Sequence, residues 1–310
     1  MIGHLFTDAH LRHITVMTAH LISSVVDYAD RYDFADVPTP TPIGGLSIVR
    51  ARQPSQLAGT LYAPLLCLVL QGEKRTMFGS HAVHFSAGDT LIVSINMPTV
   101  SQIVAASPEQ PYVSLAIDID LGMIRSLQAE LDINRSDERA QPLDSASIAA
   151  GACNQALAEA FLRLFNLHDR SSAEQAVMAP LLRREIHFRM LVEGHGGMLR
   201  RLAHSDSSES RINRAILKIQ NDYASAIEVK ELADLAGMSI ASFHEHFKTV
   251  TATTPSRFLK HFRLLVAQQR LTSSVDAVST IGFDVGYQSA AHFSRDYARE
   301  FGHPPSQARK

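Results

Sequence analysis

Two short stretches carry side chains spaced to work on another molecule's surface. In AGMSIASFHEHFK, residues 236–248, one amphipathic run stops at Gly237 and a second begins behind Ser239. At 3.6 residues per turn Phe243 and Phe247 share one face, while Ala241, His244, Glu245 and Lys248 share the opposite one. Fifty residues on, Ser289 stands as Ser239 does. Phe293 and Tyr297 turn inward there, and Ala290, Ala291, His292 and Arg295 face out with Arg299 one turn beyond. The chemistry such faces perform is hydrogen bonding to base edges from a helix laid in the major groove. Arg295 is the leading single candidate for a base contact, His244 and His292 occupy matching positions, and Glu245 is suited to accept from cytosine N4. Arg257, Lys260, Arg263 and Arg299, with the capping serines Ser239 and Ser289, are the candidates for phosphate contacts that hold register.

The surrounding sequence supplies the helices that hold both faces. VKELADLAGMS reads as a short helix with Leu232 and Leu235 inward, stopped by Gly237, after which Ser239 caps the next helix. Helix, glycine-containing turn, helix is the helix-turn-helix layout, predicted here over 230–251 and again over 278–301. Ile212, Ala215, Ile216, Ile219 and Tyr223 form the stripe of a leading helix. A long helix starting at Pro255 and carrying Phe258, Phe262, Leu265 and Leu271 joins the two units. A stiff connector of that kind sets two reading heads in adjacent major grooves, about 34 Å apart. The domain covers 211–310, behind a serine-rich linker at 206–210.

Upstream, 45 to about 120 holds short β-branched and aromatic runs separated by turn signals, which predict a small barrel or jelly roll. Gly79-Ser80 is a two-residue hairpin loop and Ser86–Asp89 a second turn. Residues 122–205 return to helical spacing, with Leu157, Ala160, Phe161, Leu164 and Phe165 on one stripe and a further helix through APLLRREIHFRMLVEGHGG. These stripes either pack on their own domain or form a dimer seam. Residues 1–40 are read as a weakly amphipathic helix and a Pro-rich arm, with Met17 an alternative start, and 41–205 as the β-domain with its accessory helices. The class is two-domain α+β.

Charge and composition narrow the chemistry. The chain carries 29 basic and 31 acidic side chains, yet residues 207–310 hold 13 basic against 10 acidic, net +3, so the mildly positive part is the one expected to meet phosphates. Cys67 and Cys153 are too few for a disulfide framework, which points to a cytoplasmic protein. Cys67, inside LLCLVL, reads as a core thiol; Cys153, at a helix start, is the better reactive candidate. Apolar runs are too short to span a membrane. His81 and His84 lie on opposite faces of a strand and His244 and His246 diverge on a helix, so no metal is expected, and no cofactor is implied. Converging acids, bases or ligands are lacking in the β-region, which argues against an enzyme. The alternative kept open is a cupin-fold binder or enzyme whose helical tail does not read DNA. Tyr62 and Cys67 are candidates to line an effector cavity.

The segment 211–309 resembles the AraC/XylS family of bacterial transcription regulators in LADLAGMS, FHEHFK, VTATTPSRFL, VGYQSAAHFSRDYAREFG and the final PP. The β-rich region, in LYAPLLCLVLQGEKRTMFG, FSAGDTLIVS and ASPEQPYVSLAIDID, is similar to the cupin-like regulatory domain of one AraC subgroup. The resemblance implies promoter or operator DNA as partner for the C-terminal domain, and a small-molecule effector or second subunit for the N-terminal one. RNA polymerase joins them if the protein activates. It also implies arginine where this chain has Glu245 and Asp284, glycine in place of Ala252 and alanine in place of Gly282.

Overall fold

In a computed structural model the described residues are 21–34, 36–79, 81–131, 147–192 and 196–308; Met17 and Ser80 lie outside them. Helix α1 covers 21–31. Strands β1 (Thr39–Pro40), β2 (Leu46–Ala51), β3 (Ala58–Tyr62), β4 (Leu65–Gln71), β5 (Glu73–Phe78), β6 (His81–Ser86), β7 (Asp89–Val93), β8 (Met97–Ala105) and β9 (Tyr112–Asp118) follow. Then come α2 (Leu121–Leu131), β10 (Ile148–Ala152), α3 (Gln155–Phe165), α4 (Ser172–Val192) and α5 (Gly196–Ala203). The C-terminal part comprises α6 (Ser208–Asp222), α7 (Val229–Ala236), α8 (Ile240–Thr251), α9 (Pro255–Ser273), α10 (Val278–Asp284) and α11 (Ala290–Phe301).

Among the described residues the strands form two antiparallel sheets, ordered β1-β2-β9-β4-β7-β10 and β3-β8-β5-β6. The first is buried on both faces. Cys67, Val69, Leu91 and Val93 face the second sheet, while Leu66, Leu68, Ile92, Leu115 and Ile117 pack on the helices, chiefly through Phe161, Phe165, Ile186 and Met190. Two covered faces explain why LLCLVL is a continuous apolar run instead of an alternating one. The two-residue hairpin loop holds its register, with Phe78 opposite His81 and Gly79 at φ +56°. In the second turn Gly88 takes φ +89° and the Asp89 carboxylate accepts from the Ser86 N–H at 2.8 Å.

Four readings of the sequence need correction. Ile148–Ala152, expected within a helical region, is an edge strand paired to β7; IAAGA lacks the β-branched and aromatic residues that mark strands. The segment 1–40 is not a separate arm in its described part. Leu21, Val25, Tyr28 and Ala29 of α1 are buried in the β-domain's core, and Thr39–Pro40 pair with β2 at the sheet edge, where a missing N–H is tolerated. The stretch 206–210 is not a free linker: Ser207 caps α6, accepting from Ser210 N–H at 3.0 Å, and Arg201 pairs with Glu209 at 2.6 Å across the junction. Leu235 is 45% exposed, since α7 buries Leu232, Ala233 and Ala236 instead.

Candidate nucleic-acid interface

The first unit is built by its turn. Gly237 adopts φ +62°, letting its own N–H and that of Met238 bond back to Asp234 and Ala233 carbonyls, both at 3.0 Å, and so end α7. Ser239 then accepts from Ser242 N–H at 3.2 Å and opens α8. Phe243 and Phe247 are fully buried, 5.4 Å apart, and Phe258 of α9 meets Phe247 edge-on at 5.5 Å. That anchorage turns Ala241, His244, Glu245 and Lys248 to solvent.

The second unit reaches the same result by a longer turn. Val285 closes α10, Gly286 takes φ +93°, and Ser289 caps α11 through His292 N–H at 3.5 Å. Phe293 and Tyr297 are buried 5.7 Å apart, while Ala291, His292 and Arg295 are exposed and Ala290 is half-buried. A Cβ at Gly286 would stand 2.6 Å from the Ala224 carbonyl, so only glycine lets this turn pack on the segment that follows α6. Gly282 is equally specific: a Cβ there would come within 2.9 Å of the Phe293 ring. An alanine would gain helix propensity but displace that ring.

The phosphate candidates divide. Arg263 donates to the carbonyls of Tyr223 at 2.6 Å and Ser225 at 2.7 Å, tying α9 to the end of α6; burial pushes its pKa down, the facing Tyr287 opposing. Lys260 (2.6 Å) and Arg299 (2.7 Å) both pair with Asp296, which Tyr287 also reaches. Arg257 is exposed and, with Lys260 and Arg299, borders a cleft of about 820 Å³ between α9, α11 and the second sheet. The Ser239 and Ser289 hydroxyls serve as caps. The seven base-edge candidates are all exposed, four on α8 and three on α11, whereas Lys260, Arg263 and Arg299 are engaged within the domain. Asp296, the hub of that network, was not singled out by the sequence, although its i, i+3 spacing to Arg299 was a usable signal. Asp284, where a positive charge would be expected, is bonded to Arg270 at 2.7 Å.

The β-domain holds α8 at its C-terminal end. Ser147 donates to the Val250 carbonyl from both its N–H (3.2 Å) and its hydroxyl (2.8 Å), and its own carbonyl accepts from Ser94 N–H at the end of β7 (2.9 Å). Ala252, at φ +56°, packs beneath Gly79, where a Cβ would lie 2.3 Å from the Ala252 carbonyl oxygen. Gly59 of β3 makes the matching approach to Leu265 and Phe301.

Between the sheets lies a polar cluster. Tyr62, Thr76 and Ser101 hydroxyls stand 3.0–3.4 Å from one another, and the Lys74 ammonium sits 5.6 Å from the Tyr62 ring centroid. The Tyr112 hydroxyl is buried without a hydrogen bond. Burial pushes the Cys67 thiol up, the Lys74 charge opposing. Cys153 is half-buried and precedes the Asn154 cap of α3.

Comparison with known proteins places these features in context. Residues 42–198 match a family described as the AraC-type transcriptional regulator N-terminus, and residues 232–310 match a helix-turn-helix domain. The HTH-type transcriptional activator RhaS of Escherichia fergusonii is 32% identical over 109 residues, 35% of this chain and 39% of that protein. Its Yersinia pestis (strain Pestoides F) counterpart is 35% identical over 104 residues, 34% of this chain and 38% of that protein. The chain therefore spans about two fifths of the length of these curated relatives. Among solved structures, apo ToxT from Vibrio cholerae strain SCE256 superposes with a TM-score of 0.53 at 10% identity, covering 87% of this chain and 98% of that one. ToxT of strain O395 gives 0.54 at 11% identity, covering 85% and 96%. At such identities the likeness is one of fold: a two-sheet β-domain followed by a helical domain. Among the described residues no helix is long and apolar enough to cross a membrane.

Proposed function

From the premise that the chain belongs to the AraC-type transcriptional regulator family, we propose that it binds promoter or operator DNA with both helix-turn-helix units on one duplex. The observation that supports this most directly is the repeated frame of cap, buried aromatic pair and exposed face, held by α9. Nineteen helical residues reach roughly 28 Å at about 1.5 Å each, a suitable strut for two heads one DNA turn apart. Base reading is assigned to Ala241, His244, Glu245, Lys248, Ala291, His292 and Arg295. Arg257 is the candidate phosphate contact that keeps its charge unpaired. Lys260, Arg263 and Arg299 would have to leave their intramolecular partners to serve, while the Ser239 and Ser289 hydroxyls, which accept in their caps, each keep an O–H to donate to a phosphate.

In the same reading the β-domain is a control element and not an enzyme. A small molecule entering among Tyr62, Lys74, Cys67 and Tyr112 would act on the DNA-binding domain through β7, Ser94 and Ser147. A second copy would pair through α4, whose Val177 (64%), Met178 and Leu181 (55%) are exposed. Contact with RNA polymerase follows if the protein activates.

A mobility-shift titration of the full chain on the DNA flanking its gene tests the central statement. One site should be bound with an affinity that falls steeply as salt rises, and Arg295→Ala should cost about 1–3 kcal/mol at one base pair. No discrimination from random DNA over the salt series would favour a β-domain binder whose tail does not read DNA.

A further inference from the structure

On the exposed face of α8 Glu245 is the one acidic side chain, and among the described residues it has no ion-pair partner. Most carboxylates of the helical domain have cationic neighbours: Asp222 and Glu231 share Lys218, Asp276 and Asp284 share Arg270, Asp296 holds Lys260 and Arg299, and Glu300 faces His261; Glu228 and Asp234 are exposed without an ion pair, as Glu245 is, but lie outside α8. Glu245 is exposed in the middle of α8, and although Lys248 lies one turn on, the two form no ion pair; the Glu245 backbone carbonyl, not its side chain, takes the Thr249 hydroxyl. Against a duplex this carboxylate meets a row of phosphates of like charge, with no cation of its own to offset the repulsion.

A carboxylate offers acceptors only, so it gains from a base edge only where that edge donates. In the major groove the donors are cytosine N4 and adenine N6. Adenine carries its acceptor N7 directly beside N6, and a second lone pair there repels a carboxylate oxygen. Cytosine carries only the C5 hydrogen beside N4. Resting on the DNA-binding reading above, we propose that Glu245 is a specificity-determining residue that requires cytosine, through its exocyclic amino group, in the subsite of the first unit.

The second unit has the opposite polarity. Arg295 is exposed without an ion-pair partner at the corresponding stage of α11, and its donor fork suits guanine O6 and N7. The two heads therefore read a donor edge and an acceptor edge about 10 base pairs apart. A consequence follows for modified DNA. In an N4-methylcytosine·guanine pair the one remaining N4 hydrogen is used in base pairing and the methyl group projects into the major groove. That modification removes the donor Glu245 needs.

The experiment uses the full chain to select sites from random double-stranded DNA, then measures binding to the selected duplex by fluorescence anisotropy. An obligatory cytosine should appear in one subsite, and replacing it by N4-methylcytosine should weaken binding on the order of 5- to 150-fold. 5-Methylcytosine, which keeps the donor, should weaken it less. Selection with Glu245→Gln should move the preference at that position from cytosine toward adenine, which an amide contacts bidentately, and Glu245→Ala should lose the preference while still binding. An unchanged consensus for both variants, or indifference to N4-methylation at every cytosine of the site, overturns the proposal and leaves DNA reading intact. If the unmodified chain enriches no sequence at all, the two fall together. Circular dichroism of both variants, superposable on the parent, distinguishes lost reading from lost folding.

Discussion

Ser239 and Ser289 are each followed thirteen residues later by a residue in the left-handed region, but that residue is Ala252 in the first unit and Gly302 in the second. Ala252 lies under Gly79, and the carbonyl two residues before it is gripped by Ser147; a Cβ at Gly302 would meet open space. Burial follows the same division. Phe243, Phe247 and Val250 belong to one core with Tyr62, Phe78 and Met97 of the β-domain, whereas Phe293, Tyr297, Ile281 and Leu264 form a core of their own. Two copies of one motif are thus wired differently: the first is an extension of the regulatory domain, and the second hangs from α9. The β-domain packs directly on α8 and meets the second unit mainly through α9, Gly59 and Phe301.

Truncating the aromatic anchors should break this contrast most strongly. Phe243→Ala and Phe293→Ala each remove a fully buried ring, at about 3–5 kcal/mol. Hydrogen exchange read by mass spectrometry should show Phe293→Ala exposing α10 and α11 with β4 and β9 still protected. Phe243→Ala should raise exchange in α8 and in the β-domain together. Equal, purely local effects would mean that the continuous core carries no cooperativity.

Next in size is the contact at the hairpin. Gly79→Ala places a Cβ against the Ala252 backbone and strains a positive φ, an overpacking cost of about 1–3 kcal/mol. Gly302→Ala strains a positive φ with no clash, about 1 kcal/mol. Limited proteolysis at the junction between the domains should quicken for the first variant and not for the second.

A smaller effect sharpens the comparison through pH. His187 is fully buried, its Nδ1 bonded to the Arg183 carbonyl at 2.7 Å and its Nε2 accepting from Asp120 N–H at 2.9 Å. Burial holds its pKa below the usual 6.5, the hydrogen bond to the Arg183 carbonyl opposing. The folded state therefore binds this proton less readily than the unfolded chain does. Stability from this site is complete above pH 6.5 and declines as the pH drops below it. Melting followed in the β-domain should show that decline, and His187→Gln should flatten it, with α10–α11 responding less than the β-domain.

Much of this was legible because helices announce themselves locally. Ser239, Ser289, Gly237 and the Phe243–Phe247 and Phe293–Tyr297 spacings fix caps, stops and faces within a single turn, and the structure sets α8 and α11 accordingly. What was not legible depended on distant partners. Nothing near Arg263 in the chain marks the carbonyls of Tyr223 and Ser225 as its acceptors, and IAAGA becomes a strand only because β7 offers an edge. Gly79 reads as an ordinary turn residue and nothing in the sequence marks Gly59; their role in close approach exists only once the two domains are packed. Gly282 looked like a lapse in propensity and is the seat of the Phe293 ring.

The finest contrast lies in the ends of the reading helices. Ser239→Ala removes a 3.2 Å cap bond and Ser289→Ala a 3.5 Å one. Both should destabilise by about 0.5–1 kcal/mol, the shorter bond by more. Ala252→Gly should act in the other direction, relieving a left-handed alanine by about 1 kcal/mol. Urea unfolding gives all three midpoints on one scale. If Ala252→Gly brings no gain, the alanine methyl beneath Gly79 offsets its own strain by packing, and the regulatory domain then holds the first unit more firmly than the backbone angles alone require. A full gain instead means that the strain is carried by the Ser147 grip on Val250, and Ser147→Ala made together with Ala252→Gly should then return the midpoint close to that of the parent.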